Sequence, residues 1–330
     1  MRRTHAARPI RVLQSAPPPD GNAAYVDPIV AETPADLQFD YFSWRNVLLH
    51  RWDVFHVHWP EVLMGGSGAS GPRAALLFLI MMARLRLSRT KIVRTLHNVE
   101  PHEGASRGQA QLLRLLERNT DWFVRLNPVT ASPAPNRTSL IPHADYRRPF
   151  AHHERSLPEP GRILYFGLIR PYKGVEQLME AFTDLQDDSL SLHVVGRAKG
   201  NAGIRVAELA ANDSRIKTDL RYVDDAVLVR EVTAAQLVVL PYRNMHNSGA
   251  LIAALSLDRP VLAPASPVNE WIAAEVGSGW LTLYSDELDA ATLARGIESA
   301  QRDRVRPQFR DRSWEQMASM HADLYRNLAR

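Results

Sequence analysis

The sequence predicts an α/β protein made of two doubly wound halves that face each other across a cleft. Three observations lead there. Apolar, strand-like runs alternate with stretches of helical periodicity along nearly the whole chain, the pattern of parallel sheets covered by helices. The alternation stops once, at Asp145 to Gly161 (DYRRPFAHHERSLPEPG), a stretch rich in charge, His and Pro that reads as a linker. It then restarts, and 330 residues suit two domains of ordinary size better than one.

In the first half the expected strands are IRVLQ (Ile10 to Gln14), DVFHVHW (Asp53 to Trp59), KIVRTL (Lys91 to Leu96), DWFVRLN (Asp121 to Asn127) and TSLIPH (Thr138 to His143). Helical spacing appears at Arg73 to Leu87 and Gly108 to Asn119, and the stretch after APPPDGN reads as helical or irregular. The second half opens with RILYFG (Arg162 to Gly167) and the helix Val175 to Leu185, followed by LSLHVVG (Leu190 to Gly196) and a helix at Ile204 to Ala211. Next come a strand near Ile216 to Val223, a helix near Ala226 to Ala234, the strand AQLVVLP (Ala235 to Pro241) and the helix Gly249 to Leu257. PVLAP (Pro260 to Pro264), a helix at Asn269 to Glu275 and a final helix at Trp314 to Leu328 complete the reading.

Composition narrows the function classes. A hydrophobic fraction of 45% with 23% charged residues describes a folded protein with a real core. The formal net charge of +4 suits an anionic ligand or membrane surface, and no zinc-finger, RNP or basic-helix pattern points to nucleic acid. With no cysteine, disulfides, thiolate metal sites and a cysteine nucleophile are excluded. MRRTHAARPIRVLQ has no apolar core of a signal peptide, and the longest apolar run, Ala74 to Ala83, falls short of the ~20 residues that span a bilayer. A cytoplasmic protein is expected.

Ligands of doubly wound sheets sit beyond the carboxyl ends of strands, which directs attention to four loops. HVHWPEVL brings His58, Trp59 and Glu61 together: Trp can stack on a sugar face, and the carboxylate can bind hydroxyls or act as a base. TLHNVEPHEG carries His97, Asn98, Glu100, His102 and Glu103; its spacing matches no zinc pattern and Pro101 breaks the helix such a site would need, so substrate contacts are expected and no metal. FGLIRPYKG sets Arg170 and Lys173 between a strand and a helix, where two cations and first-turn amides can hold a phosphate. YRNMHNSGAL places Asn247, Ser248 and Gly249 before an apolar helix, a second anion-binding N-terminus; two such sites suggest a diphosphate. There is no Walker A loop, no G-x-S-x-G elbow, no kinase motif set and no G-x-G-x-x-G after the first strand, and the pairs Asp187-Asp188 and Asp224-Asp225 fall in expected turns.

With these loops assembled, nearly the whole chain resembles a GT-B glycosyltransferase, a pair of Rossmann-like domains, of the family-4-like group that builds bacterial exopolysaccharides and glycolipids. ILYFGLIRPYKGVEQLMEAF resembles the strand, loop and helix that open the family's donor domain, and LSLHVVGRA its second strand and glycine turn. RYVDDAVLVREVTAAQLVVLPYRN resembles the base-binding strand and the approach to the active loop, and NSGALIAALSLDRPVLAP the donor helix. TLHN and IPHADY resemble acceptor-domain loops, and SWEQMASMHADLYRNL the C-terminal helix that crosses back to the first domain. The resemblance implies an acceptor domain at 1–150 joined by helix 312–330, and a donor domain at 160–305. It implies donor contacts from Gly167, Arg170, Lys173, Gly196, Tyr222, Val223, Tyr242, Arg243, Asn247, Ser248 and Gly249, and acceptor contacts from Trp59 and Asn98.

Two departures matter. Lys173 matches the family's phosphate-binding lysine, but the usual arginine falls on Leu168, with Arg170 two residues on as its replacement. The family's two acidic residues fall on Met245 and Ala253, so the usual sugar-binding carboxylates are gone. The implied reaction is transfer of a sugar from a nucleotide-sugar donor to a glycan or lipid-linked acceptor, without metal or cofactor. The SG form of the donor helix points to GDP-mannose. An inverting reaction needs a base, with Glu61, His58 and Glu103 as candidates; a retaining one needs none, and His97 would contact the sugar. The apolar helix from Ala74, followed by Arg84, Arg86, Arg89, Lys91 and Arg94, fits a peripheral face on the inner side of the plasma membrane. Other GT-B activities, a phosphorylase or an epimerase, are weaker fits. The alternative of another class is a degenerate relative that binds nucleotide sugar or glycan without chemistry, for which the missing acidic pair argues.

Overall fold

The computed structural model describes residues 8–18, 25–32, 34–60, 63, 71–97, 106–243 and 245–330. The chain divides into two compact units, Met1–Ala144 with Asp311–Arg330, and Asp145–Arg310. Each contains one six-stranded sheet whose paired strands all run parallel.

In the N-terminal unit the elements are β1 (Ile10–Gln14), α1 (Asp27–Ala31), β2 (Leu37–Tyr41), α2 (Trp44–Leu49), β3 (Val54–Val57), α3 (Pro72–Leu87), β4 (Lys91–Leu96), α4 (Arg107–Arg118), β5 (Trp122–Arg125) and β6 (Thr138–Leu140). The strand order is β2-β1-β3-β4-β5-β6. Winding reverses between β1 and β3, where Gln14 pairs with His56. Val12, Leu13, Val54, Phe55, Val57, Val93, Phe123 and Val124 are fully buried along these strands, the near-continuous apolar runs of a sheet covered on both faces.

In the C-terminal unit follow α5 (Arg147–Phe150), β7 (Arg162–Phe166), α6 (Val175–Thr183), β8 (Ser191–Val195), α7 (Ala202–Ala211), β9 (Ile216–Asp219), α8 (Asp225–Ala234), β10 (Leu237–Val239), α9 (Gly249–Ser256), β11 (Val261–Pro264), α10 (Pro267–Val276), β12 (Leu281–Tyr284) and α11 (Ala290–Ala300). Their order is β12-β11-β10-β7-β8-β9, so the reversal falls between β7 and β10. The last helix, α12 (Trp314–Ala329), packs in the N-terminal unit against α1, β1 and β3, burying Met317, Ala318, His321, Ala322, Leu324 and Tyr325.

Some elements differ from expectation. β2 and β12 are outer strands, and the reading of the sequence contained neither, nor α2 and α11. The stretch 145–161, read as a linker, packs on the C-terminal unit: Phe150 is buried, the Tyr146 N–H donates to Ser256 Oγ at 2.9 Å, and the Ser156 N–H donates to Thr233 Oγ1 at 2.8 Å. Helix α3 is apolar on two sides. Ala74, Phe78, Met81, Met82 and Leu85 are buried, whereas Leu76, Leu79, Ile80 and Leu87 are exposed. No helix among the described residues is long and apolar enough to cross a membrane.

Candidate active site

In the C-terminal unit Gly167, Arg170, Lys173, Tyr242, Arg243, Asn247, Ser248 and Gly249, of the expected donor residues, follow β7 and β10, the two strands at the reversal; Gly196 follows β8, and Tyr222 and Val223 follow the edge strand β9. After β7 the chain turns at Gly167 and after β8 at Gly196, both at positive φ. A Cβ on Gly196 would overlap the Gly167 carbonyl oxygen, so the two turns touch through backbone that only glycine allows. The loops stay joined beyond that point: the Ile169 N–H donates to Arg197 O at 3.0 Å and the Lys199 N–H to Ile169 O at 3.2 Å.

Lys173 ends a short 3₁₀ turn, Pro171–Lys173, and Gly174 leads into α6 in the left-handed conformation. A side chain on Gly174 would overlap the Pro241 carbonyl oxygen, so the loops after β7 and β10 are pressed together there. The Arg243 N–H closes the same contact by donating to Tyr172 O at 3.0 Å. The Lys173 ammonium lies 3.5 Å from the Tyr242 ring centroid and 5.3 Å from that of Tyr172, and forms no ion pair among the described residues. Burial, together with the neighbouring Arg170 charge, lowers its pKa from 10.5 to about 7. A cation held against aromatic faces without a carboxylate can meet an anion.

Ser248 caps α9 by accepting the Leu251 N–H at 3.3 Å, and Gly249 begins the helix. Met245 and Ala253 are buried apolar side chains, so the positions of the absent carboxylates belong to the core. Asn247 is half-buried beside the cap, while Arg243 and Tyr222 are exposed and Val223 is half-buried between β9 and α8. From Tyr242 and Arg243 a groove of about 840 Å³ runs past Glu176 and Glu180 to Tyr284, Asp286 and Glu287. Its carboxylates make it unsuited to a diphosphate and suited to hydroxyl groups.

In the N-terminal unit Gln14, His58 and His97 stand at the carboxyl ends of three adjacent strands, β1, β3 and β4. The Trp59 ring stacks on His97 at 4.5 Å and 18°. Tyr25 meets His97, His143 and His58 edge-on at 4.6, 5.2 and 5.6 Å. Below them His56 lies 4.1 Å from His58, and His321 of α12 lies 5.6 Å from His56. The His58 N–H donates to Ser15 Oγ at 2.8 Å, anchoring the backbone at the strand end.

Burial holds these imidazoles neutral. His97 is pushed down to about 3, with His143 beside it, and His143 to about 4, opposed by its hydrogen bond to Ala144 O. His321 is lowered to about 4, again opposed by a hydrogen bond, to Met317 O. His56 and His58 are held well below 6.5 by burial and by the other rings. All five are therefore acceptor-capable imidazoles at neutral pH.

Of the catalytic and acceptor candidates, His58, Trp59 and His97 come together here, whereas Glu61, Asn98 and Glu103 lie outside the described residues. Gln14, Tyr25, His56, Thr95, His143, His321 and Tyr325 complete the cluster and were not singled out from sequence. One signal was available: in HVH the alternation of a strand places His56 and His58 on the same face. Among the described residues no group of three or more His, Asp or Glu is placed to hold a metal ion.

A profile of the family described as Glycosyl transferases group 1 matches residues 160–303, the donor-type half. Over 334 aligned residues, covering 98% of this chain and 94% of the relative, the sequence is 44% identical to a GDP-mannose:glycolipid 4-beta-D-mannosyltransferase of Xanthomonas campestris pv. campestris. The chain belongs to the glycosyltransferases. A second such enzyme, from another strain of that organism, is 43% identical over the same coverage. Among solved structures, Anabaena HepE in complex with UDP and glucose matches with a TM-score of 0.64 at 13% identity, covering 96% of this chain and 100% of that one. A Rickettsia africae glycosyltransferase matches at 0.64 and 12% identity, covering 98% and 99%. At such identities these structures speak for the fold, which is GT-B. Nothing in these likenesses supports a degenerate binding protein.

Proposed function

We propose that this glycosyltransferase moves mannose from GDP-mannose to a hydroxyl of a glycolipid, forming a β-linkage with inversion. The single observation that carries the reading is the 44% identity, over 98% of the chain, to an enzyme named for that donor, acceptor and linkage. Mannose is α-linked to phosphate in GDP-mannose, so a β-product means displacement from the opposite face.

The C-terminal unit binds the donor. Lys173, Arg170 and the first-turn amides at Ser248 and Gly249 face the diphosphate and stabilise the charge that grows on it as the glycosidic C–O bond breaks. Gly167 and Gly196 let backbone approach the ligand, and Tyr222, Val223, Tyr242, Arg243 and Asn247 line its remaining length. The N-terminal unit binds the acceptor, with Trp59 as a stacking face and Asn98 as a hydroxyl partner. The acceptor O–H gives its proton to a base among His58, Glu61 and Glu103 while the oxygen bonds the anomeric carbon and GDP departs.

The lipid end of the acceptor calls for a membrane surface, and α3 offers one. Leu76, Leu79, Ile80 and Leu87 form an exposed apolar stripe, with Arg73, Arg86 and Arg89 exposed along it. A helix of this kind lies in the interface of an anionic bilayer. The test is transfer of labelled mannose from GDP-mannose to extracted glycolipids, with GDP release followed in parallel. Transfer sensitive to β-mannosidase supports the reading; GDP release equal with and without acceptor contradicts it.

A further inference from the structure

Five side chains, four on β1, β3, β4 and α12 and one on the residue that follows β3, form an unbroken hydrogen-bonded row. His56 Nε2 lies 2.8 Å from Thr95 Oγ1, and His56 Nδ1 lies 2.6 Å from the Tyr325 hydroxyl. Gln14 Nε2 donates to that hydroxyl at 3.3 Å, and Gln14 Oε1 stands 2.8 Å from His58 Nε2. The row ends at His58 Nδ1, a buried atom with no hydrogen-bond partner among the described residues.

Both imidazoles are neutral, so each has one N–H and one lone pair, and the row has two self-consistent settings. In the first, His58 Nε2–H donates to Gln14 Oε1, the Gln14 amide to Tyr325, the Tyr325 hydroxyl to His56 Nδ1, and His56 Nε2–H to Thr95 Oγ1. His58 Nδ1 is then a bare lone pair. In the second, every bond reverses, the Gln14 amide turns over, and His58 Nδ1 carries a proton. That setting strands a buried N–H, and orphaned donors are rarer and costlier in folded proteins than under-used acceptors.

We infer that this row fixes His58 as the Nε2–H tautomer, and that its bare Nδ1 receives the hydrogen bond of the nucleophilic acceptor hydroxyl. Tyr325 and Gln14 are positioning residues that act through His58. The proposal rests on the reading of the N-terminal unit as the acceptor domain. It gives α12 a role in the reaction besides packing: the residue that orients the row arrives from the far end of the chain, 311 positions from Gln14.

The experiment is 15N–1H long-range correlation of the imidazole rings in full-length protein labelled at histidine, for wild type and Tyr325→Phe, with the His58 signals assigned through His58→Gln. Kinetics with GDP-mannose and glycolipid accompany it. Wild type is expected to show His58 protonated at Nε2 and bare at Nδ1. Tyr325→Phe keeps the ring but cuts the row, and is expected to mix the two tautomers and lower kcat about 10-fold or more, with the KM for GDP-mannose unchanged. His58→Gln is expected to lose more. A proton on Nδ1 in the wild type overturns the inference, as does an unchanged tautomer and kcat in Tyr325→Phe. Absence of transfer by the wild type would instead sink the proposed function, and the tautomer spectrum would still decide the row.

Discussion

Lys173 lies against the Tyr242 and Tyr172 rings, and its pKa is lowered to about 7 by burial and by Arg170. A diphosphate would raise that pKa, so donor binding takes up a proton. GDP affinity is expected to be nearly constant below pH 7 and to weaken as pH rises above it, up to tenfold per unit, in titration calorimetry. Because the depressed pKa marks a buried ammonium that costs stability, Lys173→Met should melt higher than wild type without ligand. The same variant should lose about 10- to 100-fold in kcat/KM, the magnitude of one charge-assisted hydrogen bond. The imidazole cluster acts in the opposite region of pH. Its folded-state pKa values lie below 6.5, so the unfolded chain binds more protons and stability falls as pH drops from 6.5 toward 4. At pH 5 each such ring costs on the order of 2 kcal/mol. Urea midpoints at pH 7 and pH 5 would reveal this, and equal midpoints would refute it.

At the scale of elements, α3 divides its apolar residues between the core and the surface. Replacing Leu76 and Ile80 with serine removes exposed apolar area without touching the buried Phe78 and Met81. The double variant is expected to keep its melting temperature and lose most of its co-sedimentation with anionic vesicles. Retained binding would move the membrane face elsewhere. Legibility also varies by element. The inner strands were readable because burial on both faces leaves long apolar runs, as in RILYF and VFHV. The outer strands LQFDY and LTLY have largely half-exposed side chains and escape the reading, but outer position alone does not decide legibility, since β6 and β9 are outer and no better buried and yet are expected from sequence. The loops after β7 and β10 were readable as loops between a strand and a helix because their residues are neighbours in sequence. The histidine row was not, since Gln14, His56, Thr95 and Tyr325 meet only through the parallel register of β1, β3 and β4 and the return of α12.

For the whole molecule, two sheets of the same construction each place their loops where the winding reverses, and the two sets of residues differ in chemistry. The C-terminal set is cationic and amide-rich, the N-terminal set aromatic and imidazole-rich. That difference is the physical content of assigning a charged diphosphate to one unit and a neutral hydroxyl acceptor to the other. The Met245 and Ala253 positions, both buried in the core, are where the chain departs from its resemblance, and the carboxylates that this unit does offer lie in the groove beyond Tyr242.

The loops at the β7/β10 reversal are expected to hold a guanosine diphosphate through cations and amides. Thermal unfolding in EDTA with GDP, UDP, ADP and dTDP tests it most directly, for wild type and Lys173→Ala. At 100 times its Kd a ligand adds about 2.7 kcal/mol of stability. Wild type is expected to show a clear upward shift with GDP and smaller shifts with the other nucleotides, and Lys173→Ala a much reduced GDP shift. An equal GDP shift in both proteins, or none in the wild type, would contradict it.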